Sequence, residues 1–196
     1  GPRTAQRQLF AEDYVGAVDQ LSPRACYDEG RRFAETAVAT YRQVHNLDTK
    51  IIRIFRAYGP RMRLFDGQMI PDFITNAIDG HELVIFGDPM MTTSLVYVSD
   101  VIDAALKVMA STEAGPFNIG TPQEYNLTTV AQMIIDGVGS QSKIVYQEPL
   151  LFMTPLGLPD ITRAKESLGW LPVVTLEAGL RQTIEYTQAE KSIVRQ

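Results

Sequence analysis

Tyr27 and Arg31 are the two side chains of this sequence best spaced for proton-transfer chemistry. They stand four residues apart, at the predicted start of an amphipathic helix. Residues at i and i+4 share a helix face, so the guanidinium can lie close to the phenol. A fixed positive charge favours the phenolate form, which lets a tyrosine act as an acid or base in carbonyl–alcohol redox chemistry. Taken alone, the spacing also fits an ordinary exposed helix face.

Three further segments follow this pair. Residues 53–62 close a hydrophobic strand, residues 96–101 enter a helix, and residues 159–165 run into Leu168-Gly169-Trp170. In this order and at these distances, the segments resemble the extended short-chain dehydrogenase/reductase superfamily, also called the NAD-dependent epimerase/dehydratase superfamily. Within it, the chain is most similar to the UDP-glucuronate decarboxylases, also called UDP-xylose synthases. The resemblance covers residues 12–186.

This resemblance implies a fold, a cofactor and a substrate. The expected fold is α/β, a partial Rossmann-like parallel sheet with a small α/β substrate-binding region. The implied cofactor is NAD, and the implied substrate is a nucleotide sugar of the UDP-glucuronate type. Tyr27 and Arg31 are then the implied catalytic residues, with Arg31 at the position of the family's catalytic lysine, and both are also the implied cofactor-binding residues. The implied substrate-binding residues are Arg56, Arg61, Asp66, Phe86 and Thr93.

The sequence contains no Gly-x-x-Gly-x-x-Gly loop between a strand and a helix. In the family, that loop lets the dinucleotide pyrophosphate approach a helix N-terminus. The sequence therefore resembles the carboxy-terminal half of such an enzyme. Residues 1–20 are expected to form a loop or arm, and residues 21–196 the carboxy-terminal half-domain without the dinucleotide-binding half.

Four positions depart from the family pattern. Arg31 replaces the lysine, Arg56 replaces an asparagine, and Thr93 replaces an arginine linked to decarboxylation. Residues 156–158 replace a segment with a basic residue near the diphosphate. Arginine and lysine are not equivalent at a ribose site, and a diphosphate needs cations or aligned N–H donors. These changes predict an impaired or inactive chain. A non-catalytic sugar-nucleotide-binding or scaffold protein, and an enzyme whose other half is a separate chain, both stay open.

Composition narrows the class of protein. The 196 residues are 45% hydrophobic and 21% charged, which is typical of a globular domain with a sizeable core. The net charge of −5 argues against a nucleic-acid surface, and no apolar run is long enough to span a bilayer. The single Cys26 excludes an internal disulfide, and no Cys/His spacing indicates a metal site. The expected location is cytoplasmic.

Periodicity predicts alternating helices and strands. The predicted helices are residues 28–46, 68–79, 99–109, 127–138, 161–168 and 176–189. The predicted strands are residues 50–55, 83–86, 95–98, 117–120 and 144–146. The first strand is β-branched and continuous, which predicts burial on both faces. The helix at 28–46 corresponds to a family dimer helix, so the resemblance implies a homodimer.

Three side chains are given structural roles from the sequence. Ser99 or Asp100 is predicted to cap the third helix, and Thr128 the fourth, because hydroxyl and carboxylate side chains accept from free helix N–H groups. Trp170 is expected to pack the last helix against the sheet. If its indole N–H is buried, it requires a hydrogen-bond acceptor.

Overall fold

Helices and short strands alternate along the part of the chain that this computed structural model describes, residues 9–150 and 157–194. This alternation confirms the predicted α/β class. The six helices lie close to their predicted positions. They are α1 (Ala25–His45), α2 (Met69–Asp79), α3 (Val98–Ala110), α4 (Leu127–Val138), α5 (Thr162–Leu168) and α6 (Leu176–Val194).

The described strands pair in twos, and four of the five pairs are parallel. The parallel pairs are β1 (Leu9–Phe10) with β10 (Leu158–Pro159), β2 (Ile52–Ile54) with β7 (Phe117–Ile119), β3 (Ala57–Tyr58) with β6 (Val96–Tyr97), and β4 (Leu83–Phe86) with β9 (Ile144–Gln147). The antiparallel pair is β5 (Thr92–Thr93) with β8 (Tyr125–Asn126). Parallel pairing brings the carboxyl ends of paired strands to the same edge, where α/β proteins bind ligands.

One core is built from α2, α4, α6 and the β4–β9 pair, which we call the helical core region. Its helices bury apolar residues at helical spacing and end at glycines in the left-handed conformation, Gly80 and Gly139. Asn126 caps α4, since its side chain accepts hydrogen bonds from the backbone N–H groups of Thr128 and Thr129. The prediction of Thr128 as the cap is therefore wrong by two residues.

A second core surrounds Trp170 between α3, α5 and β7. The indole is fully buried, and its Nε1 donates to the carbonyl of Asp100 at 2.9 Å, which supplies the required acceptor. The other apolar residues of this core belong to α3, α5 and the strands β2, β3, β6 and β7, apart from Ile161 just before α5, and none belongs to α6. The expectation that Trp170 packs the last helix is therefore wrong. The turn at Gly169 directs the indole toward α3 instead.

Asp100 has a different role from the predicted helix cap. The helix begins at Val98, and Tyr97 at its N-cap provides no side-chain hydrogen bond. The Asp100 carboxylate is buried and accepts from the backbone N–H groups of Val173 and Val174 at 3.1 and 3.0 Å. The cap assignment to Ser99 or Asp100 is wrong because Asp100 instead satisfies two backbone donors of a distant segment.

Helix α1 has its apolar residues on the surface. Its buried residue is Ala25, at its first position, whereas Phe33, Tyr41 and Val44 are 73, 59 and 68% exposed. We call this exposed apolar stripe the α1 face. A helix face of this kind normally packs against another surface.

Strand β2 joins α1 through a side-chain fork. Arg53 donates from Nε and Nη2 to the two carboxylate oxygens of Glu35, both at 2.7 Å. Burial on both faces was predicted for this strand, but Ile54 is 50% exposed. That prediction is wrong, because Ile52 packs against the core around Trp170 whereas Ile54, at the strand end, stays half exposed.

The first described residues form a strand and are held by Asn118. Its amide donates to the carbonyls of Phe10 and Asp160 at 2.8 and 3.1 Å, and its backbone N–H donates to Glu12. Residues 9 and 10 are thus part of a strand pair within the segment expected to be a loop or arm. Residues 1–8 of that segment lie outside the described residues.

Candidate active site

Tyr27 lies in the first turn of α1 with its ring half exposed, at 49%. Two guanidinium groups approach this ring. The Cζ of Arg24 is 4.5 Å from the ring centroid, and the Cζ of Arg31 is 5.1 Å from it. Both distances fall within the range of cation–π interactions. The helical spacing thus places Arg31 beside Tyr27 as predicted, and over the ring.

Arg24 carries both a carboxylate contact and a ring contact. It sits at the N-cap of α1, and its Nε donates to Asp28 Oδ1 at 3.2 Å. Both side chains of this pair are more than a third exposed, so solvent screens the pair and its contribution to stability is small. The pair orients the arginine along the first helical turn, next to Tyr27.

Arg56 brings a third guanidinium to the same end of α1. It follows β2 by two residues, and α1 runs back along β2 through the Arg53–Glu35 fork. Loss of solvation around its guanidinium, and secondarily the positive charge of Arg24, lowers the pKa of Arg56. The Arg56 and Arg24 charges are therefore close enough to repel each other.

The backbone of Arg56 is in the left-handed region, with φ at 41°. Non-glycine residues adopt this region at a cost, and asparagine adopts it more readily than arginine. The asparagine that the family resemblance implies here would suit the backbone better. Arginine at this position therefore adds both a charge and conformational strain after β2.

Arg61 and Asp66 lie in the loop of residues 59–67 that follows the carboxyl end of β3. Both are exposed. Arg61 and Phe65 have φ values of 68° and 63°, so the loop makes two left-handed turns without glycine at those positions. Burial, and secondarily the negative charge of Asp66, raises the pKa of Asp72 in α2. This loop is separate from the arginines around Tyr27.

Phe86 ends β4 at the border of a surface groove of about 600 Å³. The groove lies at the carboxyl ends of the parallel strands β4 and β9. Its lining residues are Gly87, Asp88, Tyr146, Gln147, Glu148 and Pro149. An aromatic ring and two carboxylates at a strand-end groove can stack on a planar group and accept hydrogen bonds from it.

Two positions where the resemblance implies a cation hold small residues within the fold. Thr93 is 2% exposed, and its hydroxyl donates to the Ser94 carbonyl at 3.4 Å. A side chain added at Gly157 would collide with the Phe10 ring. These two positions therefore cannot present a cation to a ligand in this structure, and Leu156 of the same segment lies outside the described residues.

The residues present do not fit a whole dinucleotide. A dinucleotide pyrophosphate needs a glycine-rich strand-to-helix turn, and the sequence has none. Among residues 9–150 and 157–194, no cluster of three or more metal-ligating side chains occurs. Within the same ranges, no helix has both the length and the apolar composition required to cross a bilayer.

Sequence reasoning missed Arg24 and the β9 side of the groove. Arg24 stands three residues before Tyr27, so helical spacing was a sufficient signal for it. Tyr146 and Glu148 had no such signal. They reach the groove because β9 pairs with β4, about 60 residues away in sequence, and sequence periodicity does not identify partner strands.

Comparison with known proteins gives a consistent family. The model of the NAD dependent epimerase/dehydratase family matches residues 6–120. UDP-glucuronic acid decarboxylase 1 of Xenopus tropicalis is 39% identical over 180 residues, which are 92% of this chain and 43% of that protein. UDP-glucuronic acid decarboxylase 5 of Arabidopsis thaliana is 38% identical over 86% of this chain and 50% of that protein. The chain thus spans about half the length of these relatives.

Solved structures share the fold. The UDP-glucose 4-epimerase of Thermotoga maritima, solved with UDP-glucose, matches with a TM-score of 0.79 and 30% identity over 84% of this chain and 54% of that one. The dTDP-glucose 4,6-dehydratase of Bacillus anthracis, solved with NAD, matches with a TM-score of 0.81 and 24% identity over 95% of this chain and 58% of that one. These matches confirm the Rossmann-like assignment of the fold.

Proposed function

This chain belongs to the NAD-dependent epimerase/dehydratase family, and on that premise we propose that it provides the substrate-binding half of a nucleotide-sugar enzyme similar to the UDP-glucuronic acid decarboxylases. The observation that carries the proposal is the half-exposed Tyr27 phenol at the start of α1, flanked by Arg31. The 39% identity to a decarboxylase over 92% of the chain supports this choice of relative.

Tyr27 is the proposed catalytic residue, which exchanges a proton with a sugar hydroxyl. Its ring is held by cation–π contacts rather than by burial, so the phenol stays open to a ligand. Arg31 occupies the position of the family lysine. Its guanidinium lies over the ring, but a planar guanidinium does not reproduce the compact ammonium at a ribose.

The remaining proposed substrate contacts divide into two groups. Arg56 lies close enough to Arg24 to interact with its charge, and Arg61 and Asp66 are proposed to form a wall in the loop after β3. Phe86 borders the groove at the β4 and β9 strand ends, which is the proposed site for the planar base of a nucleotide. Thr93 is enclosed, so we propose that it shapes the site without contacting the diphosphate.

The proposed activity is incomplete in this chain. NAD is the family cofactor, and the residues present offer no place for its pyrophosphate, so no hydride step is assigned to them. Without the cofactor held against the sugar, the advantage of fixed orientation is lost. We therefore expect no turnover by this chain alone.

Isothermal titration calorimetry with UDP-glucuronate and with NAD tests the proposal. The expected result is saturable binding of the nucleotide sugar and no tight binding of NAD. Phe86→Ala should weaken UDP-glucuronate binding, whereas the exposed Val173→Ala, on the far segment held by Asp100, should not. No binding of UDP-glucuronate at millimolar concentration would refute the substrate-half proposal. Tight NAD binding would refute the account of the cofactor site.

A non-catalytic scaffold is the second candidate. It is favoured by the enclosed Thr93 and by Gly157 packed against Phe10, because both positions lack the cation that a diphosphate needs. The α1 face suggests that such a scaffold associates with itself, and a homodimer through α1 is proposed for either candidate. Absence of UDP-glucuronate binding together with a stable dimer would favour the scaffold. The cytoplasmic location stays a prediction.

A further inference from the structure

The arginines around Tyr27 form a concentration of positive charge in an acidic chain. The chain carries a net charge of −5, yet Arg24, Arg31 and Arg56 gather at one end of α1. Asp28 is the carboxylate that contacts this group, through Arg24. In residues 9–150 and 157–194, neither Arg31 nor Arg56 forms an ion pair. The group is therefore left with an excess of positive charge.

We infer that Arg24, Arg31 and Arg56 bind a compact oxyanion, a phosphate or carboxylate group, beside the ring of Tyr27. Guanidinium groups recognise such anions through paired N–H donors in one plane. Arg31 makes no ion pair among the described residues, and its Cζ lies 5.1 Å from the Tyr27 ring centroid, so its N–H donors can serve an anion beside the ring. An anion bound there would also offset the repulsion between Arg56 and Arg24.

The backbone of α1 adds to this attraction. Arg24 at the N-cap makes no side-chain capping bond, and Asp28 in the first turn offsets part of the positive end of the helix dipole. Anions are stabilised at such positions. The site therefore combines three guanidinium groups, one of them paired with Asp28, with a helix end, and the arginine side chains provide most of its selectivity for oxyanions.

This inference does not depend on the redox chemistry or on NAD. Within the proposed function it identifies an anionic group of the substrate that would lie next to the phenol. It also holds for a scaffold that binds small anionic ligands. A phosphate group and a carboxylate group are the two possible sources of the anion, and simple probes separate them.

Titration with sodium phosphate and with sodium glucuronate tests the site, with sodium chloride added to keep ionic strength constant. Binding is followed by calorimetry and by the Nε–Hε NMR signals of the arginines. We expect saturable one-to-one binding at millimolar affinity. The Nε–Hε signals that shift on binding should be those that are missing from the spectra of the Arg31 and Arg56 variants. Tighter phosphate binding would identify a phosphoryl ligand, and tighter glucuronate binding a carboxylate ligand.

Arg31→Gln and Arg42→Gln form a matched pair of variants, since both remove one exposed charge from α1 and Arg42 lies in its last turn. Arg31→Gln should weaken binding about tenfold or more, and Arg42→Gln should leave it nearly unchanged. Arg56→Asn should also weaken binding about tenfold while the fold is kept, because asparagine accepts the left-handed backbone.

Three results would overturn the inference. They are the absence of saturation for both anions, equal weakening by Arg31→Gln and Arg42→Gln, and equal competition by chloride. Circular dichroism melting of each variant separates a binding loss from unfolding. Since no nucleotide sugar is present, a negative result here leaves the UDP-glucuronate titration as a separate test of the proposed function.

Discussion

The helical core region and the α1 face differ in where they place their apolar side chains. Helix α2 buries six of its 11 residues and α4 five of its 12, whereas α1 buries one of 21. Both regions nevertheless contain large apolar side chains. Phe73 of α2 is 5% exposed, and Phe33 of α1 is 73% exposed.

This difference indicates which part of the chain is self-sufficient. The helical core region already encloses its apolar surface, so its stability comes from contacts within the chain. The large side chains of the α1 face contribute no hydrophobic stabilisation until another surface covers them. Association through α1 is therefore expected to add stability where the isolated fold has least.

Replacing Phe73 and Phe33 separately gives the largest expected difference in the free energy of unfolding. Phe73→Ala should lower the free energy of unfolding by about 3–5 kcal/mol, because it leaves a cavity in the helical core region. Phe33→Ala should change the monomer by less than about 0.5 kcal/mol, because its ring is in solvent. Urea unfolding at low protein concentration measures both. Equal losses would show that the α1 face is packed within one chain.

Charging the α1 face tests its proposed role in a homodimer. Phe33→Asp should weaken dimerisation by about 2 kcal/mol or more, since it places a carboxylate in an apolar interface. Sedimentation equilibrium measures the dissociation constant, and Leu106→Asp on the exposed side of α3 is the control. An unchanged dimer in Phe33→Asp would place the contact elsewhere.

The ion pair between Lys191 and Asp79 joins α6 to α2 in the helical core region. Its atoms are 2.5 Å apart, and the side chains are 10% and 20% exposed. Lys191→Met should cost about 1–2 kcal/mol, because a shielded carboxylate loses its cation. Lys107→Met breaks the more exposed pair with Asp103 and should cost less than about 0.5 kcal/mol. Thermal unfolding compares the two, and similar losses would show that shielding by the core has no effect.

The smallest expected effect is a change in stability at alkaline pH, and it comes from the buried phenol of Tyr58. Burial raises the pKa of Tyr58 above its ordinary value, ahead of smaller contributions from nearby tyrosines and carboxylates. Its neutral form stabilises the fold fully below about pH 10, and this contribution is lost as the pH rises above that value. Tyr58→Phe should therefore lose less stability than the wild type between pH 9 and about 11. If the free energy of unfolding falls equally with pH in the wild type and in Tyr58→Phe, the raised pKa of Tyr58 is contradicted.

Elements set by local sequence could be predicted, and elements set by distant partners could not. Helices α2 and α4 follow from apolar spacing that ends at Gly80 and Gly139. The predicted burial of β2 was wrong because a continuous apolar run does not reveal which of its side chains other elements cover. Asp100 looked like a cap because its acceptor role depends on residues more than 70 positions later.

In the candidate site, too, contacts within one helix could be predicted and contacts between distant elements could not. The proximity of Arg31 to Tyr27 follows from one helical turn and was predicted. The approach of Arg56 to Arg24 depends on how β2 lies against α1, so spacing alone could not reveal it. The groove beside Phe86 required the β4–β9 pairing, which brings together two segments that show no common pattern in the sequence.

The buried carboxylate of Asp100 links the loop at Val173 and Val174 to helix α3. The amides of Val173 and Val174 lie in a segment without helix or strand, where rapid exchange with solvent hydrogen would be expected. Both donate to Asp100 in the first turn of α3. Their exchange therefore requires the loop to detach from the first turn of α3. Slow hydrogen exchange at Val173 and Val174 would measure how firmly this loop is bound to α3.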